Sequence, residues 1–223
     1  MAELITEYTG KDLKLSTPAR LFCSGPSGCG KTTFVKQLLF NLEDVFDQPV
    51  ANIIFCYAAE QPIYEELWKF YPKKITFVKG FPSTIDDLIN NPKQHDLLIL
   101  DDLIHELGES QFFLKLCTTF SHHWNCSLLA ISQNLYFKSK YIRTCSLQAT
   151  GMILFKTLRG KDQIQTLGRQ LFPEKPFFLA EVYKEATKNE FAYLFLDLSA
   201  TCPDALRVRN SIFPEKCILV FQT

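Results

Sequence analysis

The stretch RLFCSGPSGCGKTT, residues 20–33, decides the fold of this chain. Its first five residues form an apolar run that predicts a buried strand, and residues 32–42 carry apolar side chains at helical spacing. Between them lies G-x-x-x-x-G-K-T, the pattern of a loop whose backbone N–H groups surround phosphate oxygens. A strand, a glycine-rich loop and a helix in this order are the context that the pattern requires. The stretch therefore predicts a phosphate-binding loop (P-loop) in an α/β domain.

The residue types of the loop predict its chemistry. Lys31 would place a cation on the β- and γ-phosphates, and the Thr32 hydroxyl would be a ligand of Mg²⁺. The helix that begins near Gly30 adds the partial positive charge of its N-terminus. We therefore expect ATP or a related nucleotide, with Mg²⁺, to bind here. The expected nucleotide-binding residues are Gly25, Pro26, Ser27, Gly28, Cys29, Gly30, Lys31, Thr32 and Thr33.

Polar side chains follow two further apolar runs. LLILDD, residues 97–102, predicts a buried strand that ends in Asp101 and Asp102 beside the P-loop. We expect Asp101 to hold Mg²⁺ together with Thr32, and Asp102 to orient or deprotonate the attacking water. Gln133 follows the run CSLLAIS, residues 126–132, and we expect its amide to sense the γ-phosphate.

Apolar runs and helical patterns alternate along the rest of the chain. This alternation predicts a mostly parallel sheet with helices on both faces. Strands are predicted at 51–57, 74–78, 95–103, 126–132, 151–156 and 191–199, and helices at 62–70, 110–122, 162–171 and 177–188. We expect one domain over residues 1–223, with a core at about 20–199 and a C-terminal tail at about 200–223 packed on the sheet edge.

Charge is neutral overall but uneven along the chain. Residues 136–169 hold seven bases, against Asp162 as their only acid. This segment is either a phosphate-contacting surface or a solvated face whose charge is balanced by acids elsewhere in space.

Phosphoryl transfer is accelerated by a cation placed on the transferring group, and this cation is often an arginine of a neighbouring subunit. Arg143, Arg159 and Arg169 are the candidates, and we prefer Arg143 because it follows Gln133 closely.

The cysteines indicate whether a metal site is present, and the first ten residues indicate whether the protein is secreted. Four of the eight cysteines, Cys23, Cys56, Cys126 and Cys217, lie in apolar runs and Cys29 lies in the P-loop, a distribution typical of reduced, buried thiols. A metal site could be formed by Cys117, His122, His123 and Cys126, but their spacing fits no zinc pattern and favours a helix end followed by a strand.

No apolar run approaches the ~20 residues of a membrane helix. The start MAELITEYTG lacks the features of a secretory signal, so an intracellular protein is predicted.

The order of these blocks also resembles a known family. GPSGCGKTT, then IIFCYAAEQPIYEEL, LLILDDL and AISQNLYFKSKYIRTCSLQATGMILFK, are similar to the FtsK–HerA superfamily of DNA-pumping ATPases. More narrowly, the sequence resembles the small genome-packaging ATPases of poxvirus-type viruses, virophages and Maverick/Polinton-like elements. DQIQTLGRQLFP, AEVYKEAT and FAYLFLDLS extend the resemblance, which runs from about residue 20 to about residue 199.

The resemblance implies more than the motifs do. It implies a RecA-like P-loop NTPase that forms a homo-oligomeric ring, usually a hexamer, with ATP at the subunit interfaces. Double-stranded DNA would pass through the pore into a capsid, whose proteins would be partners. The protein would act in the host nucleus or cytoplasm, or transiently on the virion. Lys31 and Thr32 would take the phosphate and Mg²⁺ roles, Asp101 the Mg²⁺ role, Asp102 the acidic catalytic role and Gln133 the sensor role.

Two other functions stay open from the sequence. One is a small P-loop nucleotide or nucleoside kinase, although the paired acids and Gln133 favour hydrolysis. The other is a non-catalytic, nucleotide-binding assembly factor that docks on capsid proteins. For the DNA translocase, the basic and aromatic stretch at residues 136–140 is the candidate DNA contact, through Lys138 and Lys140, with Arg159 and Lys161 facing the same channel.

Overall fold

One mixed sheet organises the protein in a computed structural model, which describes residues 5–8, 13–82, 84, 89, 91–135, 139–214 and 218–222. Ten strands are found in this described part. They are β1 (Ile5–Tyr8), β2 (Arg20–Ser24), β3 (Val50–Tyr57), β4 (Ile75–Lys79), β5 (His95–Asp101), β6 (Cys126–Ser132), β7 (Gly151–Phe155), β8 (Tyr193–Asp197), β9 (Val208–Arg209) and β10 (Ile218–Phe221). Their order across the sheet is β1-β10-β9-β8-β7-β2-β6-β5-β3-β4.

The six strands from β7 to β4 are parallel, and this half of the sheet carries the P-loop. β6 lies between β2 and β5, so the residues after these three strands meet at one edge. β8, β9, β10 and β1 are antiparallel to their neighbours. The predicted α/β fold with a mostly parallel central sheet is confirmed.

Helices cover both faces of the sheet. They are α1 (Lys31–Phe40), α2 (Leu42–Val45), α3 (Ile63–Phe70), α4 (Ile104–Glu109), α5 (Gln111–Lys115), α6 (Ser121–His123), α7 (Lys140–Leu147), α8 (Lys161–Leu171) and α9 (Phe178–Ala186). Buried residues of α1 to α3 belong to the core on one face, and those of α4, α5 and α7 to α9 belong to the core on the other. The central strands are therefore buried on both faces, which explains why their sequences are apolar throughout.

Several predicted bounds differ from the structure. The predicted helix at 110–122 is divided into α5, a π-helical turn (Leu116–Phe120) and α6. The short helix α7 was not predicted, because only three of its eight residues are buried and its apolar signal is weak. The strand predicted at 191–199 is the shorter β8, and it is antiparallel.

The C-terminal tail takes part in the sheet instead of packing on its edge. β9 pairs with β8, and β10 lies between β9 and β1. Arg209 anchors this addition, since its Nη2 atom donates a 2.7 Å hydrogen bond to Asp197 Oδ2 and both residues are buried. The extent of the domain over residues 1–223 stays a prediction.

The Cys and His cluster of the sequence lies beside a basic side chain, since Arg20 Nη1 is 2.8 Å from His122 Nε2. No group of three or more possible metal-binding His, Cys, Asp or Glu side chains occurs among the described residues. Within the same residues, no helix is both long enough and apolar enough to cross a membrane.

Candidate active site

The P-loop connects β2 to α1 through two left-handed glycines. Gly28 and Gly30 have φ angles of 77° and 107°, a region that residues with a Cβ atom rarely occupy. Gly25 is needed for close packing, because a Cβ atom at this position would lie 2.6 Å from Phe155 Cβ. The glycines that defined the motif are thus required by backbone conformation and close packing, and they curl the loop around the start of α1.

The start of α1 presents the charged groups of the loop. Lys31 is its first residue, and Lys31 Nζ donates hydrogen bonds to Gly25 O at 2.5 Å and to Pro26 O at 2.9 Å. These bonds hold the ammonium group above the loop. The N-cap residue, Gly30, has no side chain to cap the helix, and the partial positive charge of the helix N-terminus favours an anion here. Thr32 and Thr33 follow and are exposed.

Asp101 ends β5 and is held by two side chains from the neighbouring segment. Its Oδ2 atom accepts hydrogen bonds from Tyr64 Oη at 3.1 Å and from Gln61 Nε2 at 3.3 Å. Burial raises the pKa of the Asp101 carboxyl above its usual range, and the hydrogen bond from Tyr64 only partly offsets this effect. The sequence did not point to Gln61 or Tyr64, because their role depends on the parallel pairing of β3 with β5.

Asp102 and Gln133 come together across β5 and β6. Gln133 Nε2 lies 3.5 Å from Asp102 Oδ1 and 3.4 Å from Asp102 Oδ2. Asp102 has a φ angle of 56°, in the left-handed region that non-glycine residues seldom adopt. Such a conformation at a site often has a functional reason, and here it belongs to the carboxylate that contacts the predicted sensor.

A cavity of about 330 Å³ joins these groups. Its walls are formed by Ser27, Gly28, Gly30, Lys31, Thr32, Thr33, Gln61, Asp101, Asp102, Gln133 and Phe191. The Thr32 hydroxyl and the Asp101 carboxylate, the two predicted Mg²⁺ ligands, therefore face one space. Oxygen ligands of this kind suit Mg²⁺, and both hydrogen-bond donors to Asp101 contact Oδ2, which leaves Oδ1 for the metal or its water.

A second, larger cavity of about 820 Å³ lies against the P-loop. Its walls are residues 26–29 of the loop, Gln133 and Asn134, residues 156–159 after β7, and residues 188–192 before β8. Residues 188–192 contain no phosphate-binding or catalytic pattern, so their place in this cavity could not be predicted from the sequence.

The three candidate arginines lie in different places. Arg143 is exposed on α7 and lines neither cavity. Arg159 lines the larger cavity of its own chain. Arg169 is exposed near the end of α8 and lines neither cavity. The structure therefore brings Lys31, Thr32, Asp101, Asp102 and Gln133 together and leaves Arg143 apart.

Comparisons with known proteins give only distant likenesses. No protein-family model matches the sequence, and no curated protein matches it. Among solved structures, the genome packaging NTPase B204 from Sulfolobus turreted icosahedral virus 2, in complex with ATP-gammaS, is 12% identical with a TM-score of 0.47. That match covers 86% of this chain and 95% of B204.

Two further solved structures are similar at the same level. The KaiC-like protein PH0186 from Pyrococcus horikoshii OT3 is 18% identical over 92% of this chain and 89% of its own, with a TM-score of 0.49. The cytoplasmic domain of the Thermomonospora curvata Type VII secretion ATPase EccC is 14% identical over 95% of this chain and 26% of its own, with a TM-score of 0.48. All three TM-scores are below 0.5, so these likenesses do not indicate the function of this chain.

Proposed function

We propose that this protein is an ATPase that uses Mg²⁺-ATP to translocate double-stranded DNA, and that it packages a viral or virus-like genome into a capsid. The observation that supports hydrolysis is the cavity in which Lys31, Thr32, Asp101, Asp102 and Gln133 meet. The sequence resemblance to viral packaging ATPases supports the DNA role. In that role the protein acts in the host nucleus or cytoplasm and meets capsid proteins.

Each group in the cavity has a distinct task in hydrolysis. Lys31 and the N-terminus of α1 bind the β- and γ-phosphates and stabilise the negative charge that spreads over the transferring group. Thr32 and Asp101 hold Mg²⁺, which supplies further charge neutralisation when bound. Asp102 accepts a hydrogen bond from the attacking water, and Gln133, which contacts Asp102, fixes the position of that water in line with the γ-phosphate.

A homo-oligomeric ring, a hexamer by the family resemblance, would complete the site. Arg143 is exposed and lines neither cavity of its own chain, which suits an arginine that acts on a neighbouring subunit's nucleotide. It would lie on the interface and stabilise the transferring phosphoryl group in trans.

The DNA contact is assigned to basic residues at the catalytic edge of the sheet. Lys140 begins α7 after β6, and Lys161 begins α8 after β7, so both follow strands that end beside the P-loop. Both are exposed. Lys138, with Tyr136 and Phe137, lies outside the described residues. Arg159 lines the larger cavity, which favours a contact with the nucleotide over a contact with DNA.

ATP turnover measured with and without long duplex DNA tests the proposed function. We expect duplex DNA to stimulate phosphate release several-fold and to lose this effect when cut to short fragments. Transfer of the γ-phosphate to an added nucleoside or nucleotide would instead identify a kinase. Slow turnover that DNA leaves unchanged would identify a nucleotide-binding assembly factor.

The double variant Lys140→Ala/Lys161→Ala is expected to weaken duplex binding without regard to sequence. Contacts to phosphates release counterions, so loss of two contacts should lower the slope of log affinity against log salt by about 2. Basal ATP turnover should survive, because neither lysine lines the catalytic cavity. Binding is measured by fluorescence anisotropy across a salt series.

A matched variant removes the same charge elsewhere. Lys69 and Lys73 are exposed near β4, the edge strand of the sheet, and Lys69→Ala/Lys73→Ala should leave the salt slope unchanged. An equal change of slope in both double variants would show that bulk charge attracts the DNA and that Lys140 and Lys161 form no defined contact.

A further inference from the structure

The larger cavity continues the catalytic cavity on the other flank of the P-loop. β6 and β5, with the catalytic carboxylates, lie on one side of β2, and β7 and β8 lie on the opposite side. The segments after β7 and before β8 form the walls of the larger cavity. The two cavities share Ser27, Gly28, Gln133 and Phe191, so they form one cleft that crosses the loop.

We propose that the larger cavity binds the nucleoside part of the nucleotide, with the base stacked on Phe191 and bounded on its other side by Leu158. This inference rests on the proposed ATP binding and adds the part of the ligand that the P-loop does not contact. At about 820 Å³, the cavity has the size of small-molecule sites in proteins. A triphosphate in the catalytic cavity would direct its nucleoside along the cleft into this space.

The apolar walls of the cavity are unusually exposed. Phe191 is 62% exposed and Leu158 is 83% exposed, although large apolar side chains are generally buried. They lie on separate segments, one before β8 and one after β7, and both line the same cavity. Two apolar side chains on separate loops are suited to hold a flat aromatic ring, which would remove them from water.

Phe191 is also held in a costly backbone conformation. Its φ angle of 60° is in the left-handed region, which is a rare place for a bulky side chain. The residue packs against the start of α1, because a Cβ atom built at Gly30 would lie 3.1 Å from Phe191 Cβ. The conformation thus places the ring at the junction of the two cavities, between the phosphate site and the nucleoside site.

One buried residue, Tyr183 of α9, holds the segment after β7. Tyr183 Oη donates to Phe155 O at 2.7 Å and accepts from Thr157 N at 2.8 Å. Tyr183 O accepts from Thr187 N at 3.0 Å and from Thr187 Oγ1 at 2.6 Å, and these bonds close the end of α9 directly before residues 188–192. A wall held in this way before a ligand binds lowers the entropic cost of binding.

Polar groups at the rim would recognise the edge of the base and the ribose. Asn189 supplies an amide and Glu190 a carboxylate, and both line the cavity. A carboxylate accepts hydrogen bonds only, so Glu190 favours a base edge that carries N–H donors, such as the exocyclic amino group of adenine. Lys156 and Arg159 add positive charge on the opposite segment.

Binding of ATP compared with binding of inorganic tripolyphosphate tests the proposal. Both ligands occupy the phosphate site, but only ATP has a base. Phe191→Ala is expected to weaken ATP binding by about 5- to 150-fold, the range for stacking of one base on one aromatic side chain, and to leave tripolyphosphate binding unchanged. Phe191→Tyr should retain the parent's affinity for both ligands. Isothermal titration calorimetry in the presence of Mg²⁺ compares each of the two variants with the parent, once for ATP and once for tripolyphosphate.

Two further variants make the test specific. Leu158→Ala changes a highly exposed side chain, so the fold is not at risk, and it should also weaken ATP alone. Phe177→Ala removes another exposed phenylalanine, 67% exposed and outside both cavities, and it should change neither ligand. Equal weakening of both ligands in Phe191→Ala would overturn the proposal, since Phe191 would then act on the P-loop through Gly30. Unchanged ATP binding in both cavity variants would overturn it as well. Parent protein that binds neither ligand would refute the proposed ATP binding itself.

Discussion

Lys31→Ala is expected to lower the turnover number for ATP by about 100- to 1000-fold, the loss that follows removal of one preorganised charge-stabilising group at a reacting centre. Lys31 is the only cation that lines the catalytic cavity in the described part of the chain. ATP binding should weaken as well, because the same ammonium contacts the phosphates of the ground state. Phosphate release at saturating Mg²⁺-ATP and calorimetric ATP titration measure the two effects.

Lys36→Ala is the matched control on the same helix. Lys36 forms a 2.6 Å ion pair with Glu66 on the surface and faces neither cavity. A surface pair of this kind contributes little to stability, so this variant should turn over ATP as the parent does. Full turnover in Lys31→Ala would contradict the assignment of the site.

Mixed assemblies extend this test to Arg143. Arg143→Ala subunits should bind ATP and hydrolyse little, because the phosphate site is intact but the neighbour's arginine is missing. Mixing them with Lys31→Ala subunits creates some interfaces with an intact P-loop on one side and an intact arginine on the other. Turnover should then recover in part. If no mixture recovers turnover while the subunits co-assemble, Arg143 does not act in trans.

The parts of the site that could be predicted from the sequence are those fixed by local chain geometry. Gly28 and Gly30 take left-handed backbone angles within the motif itself, and Lys31 follows because the helix must begin there. Asp101 and Gln133 were predicted because each follows an apolar strand, and parallel strands end at the same edge.

The parts that could not be predicted depend on residues far apart in the chain. Tyr64 reaches Asp101 across the pairing of β3 with β5, and Tyr183 of α9 holds the segment after β7. Phe191 lies in no recognisable motif, and it combines a left-handed conformation with packing against Gly30, a residue far away in the chain. The antiparallel half of the sheet was missed for the same reason, since strand direction depends on long-range connections and not on the apolar pattern of β8.

Asp101→Asn is expected to abolish Mg²⁺-dependent hydrolysis and, at the same time, to raise the Tm of the nucleotide-free protein. The loss of turnover, about 100-fold or more, follows because a neutral amide is a poor ligand for Mg²⁺ and the metal supplies several kcal/mol of charge stabilisation. The gain in stability follows from burial, which raises the pKa of the Asp101 carboxyl. Asparagine has nearly the same shape, and its Oδ1 atom can still accept the hydrogen bond from Tyr64.

The sign of the pH dependence distinguishes this effect from simple repacking. The pKa of Asp101 is higher in the folded than in the unfolded protein, so its ionised form opposes folding at neutral pH. This cost disappears as pH falls through the pKa of the folded state towards that of the unfolded state, so the advantage of Asp101→Asn in Tm should shrink on acidification.

Asp96→Asn is the control on the same strand, because Asp96 is buried at the far end of β5 with Asn52 as its partner. It should change Tm but leave hydrolysis near the parent's rate, since it lines neither cavity. Normal turnover in Asp101→Asn would remove Asp101 from the Mg²⁺ site, whatever its effect on Tm.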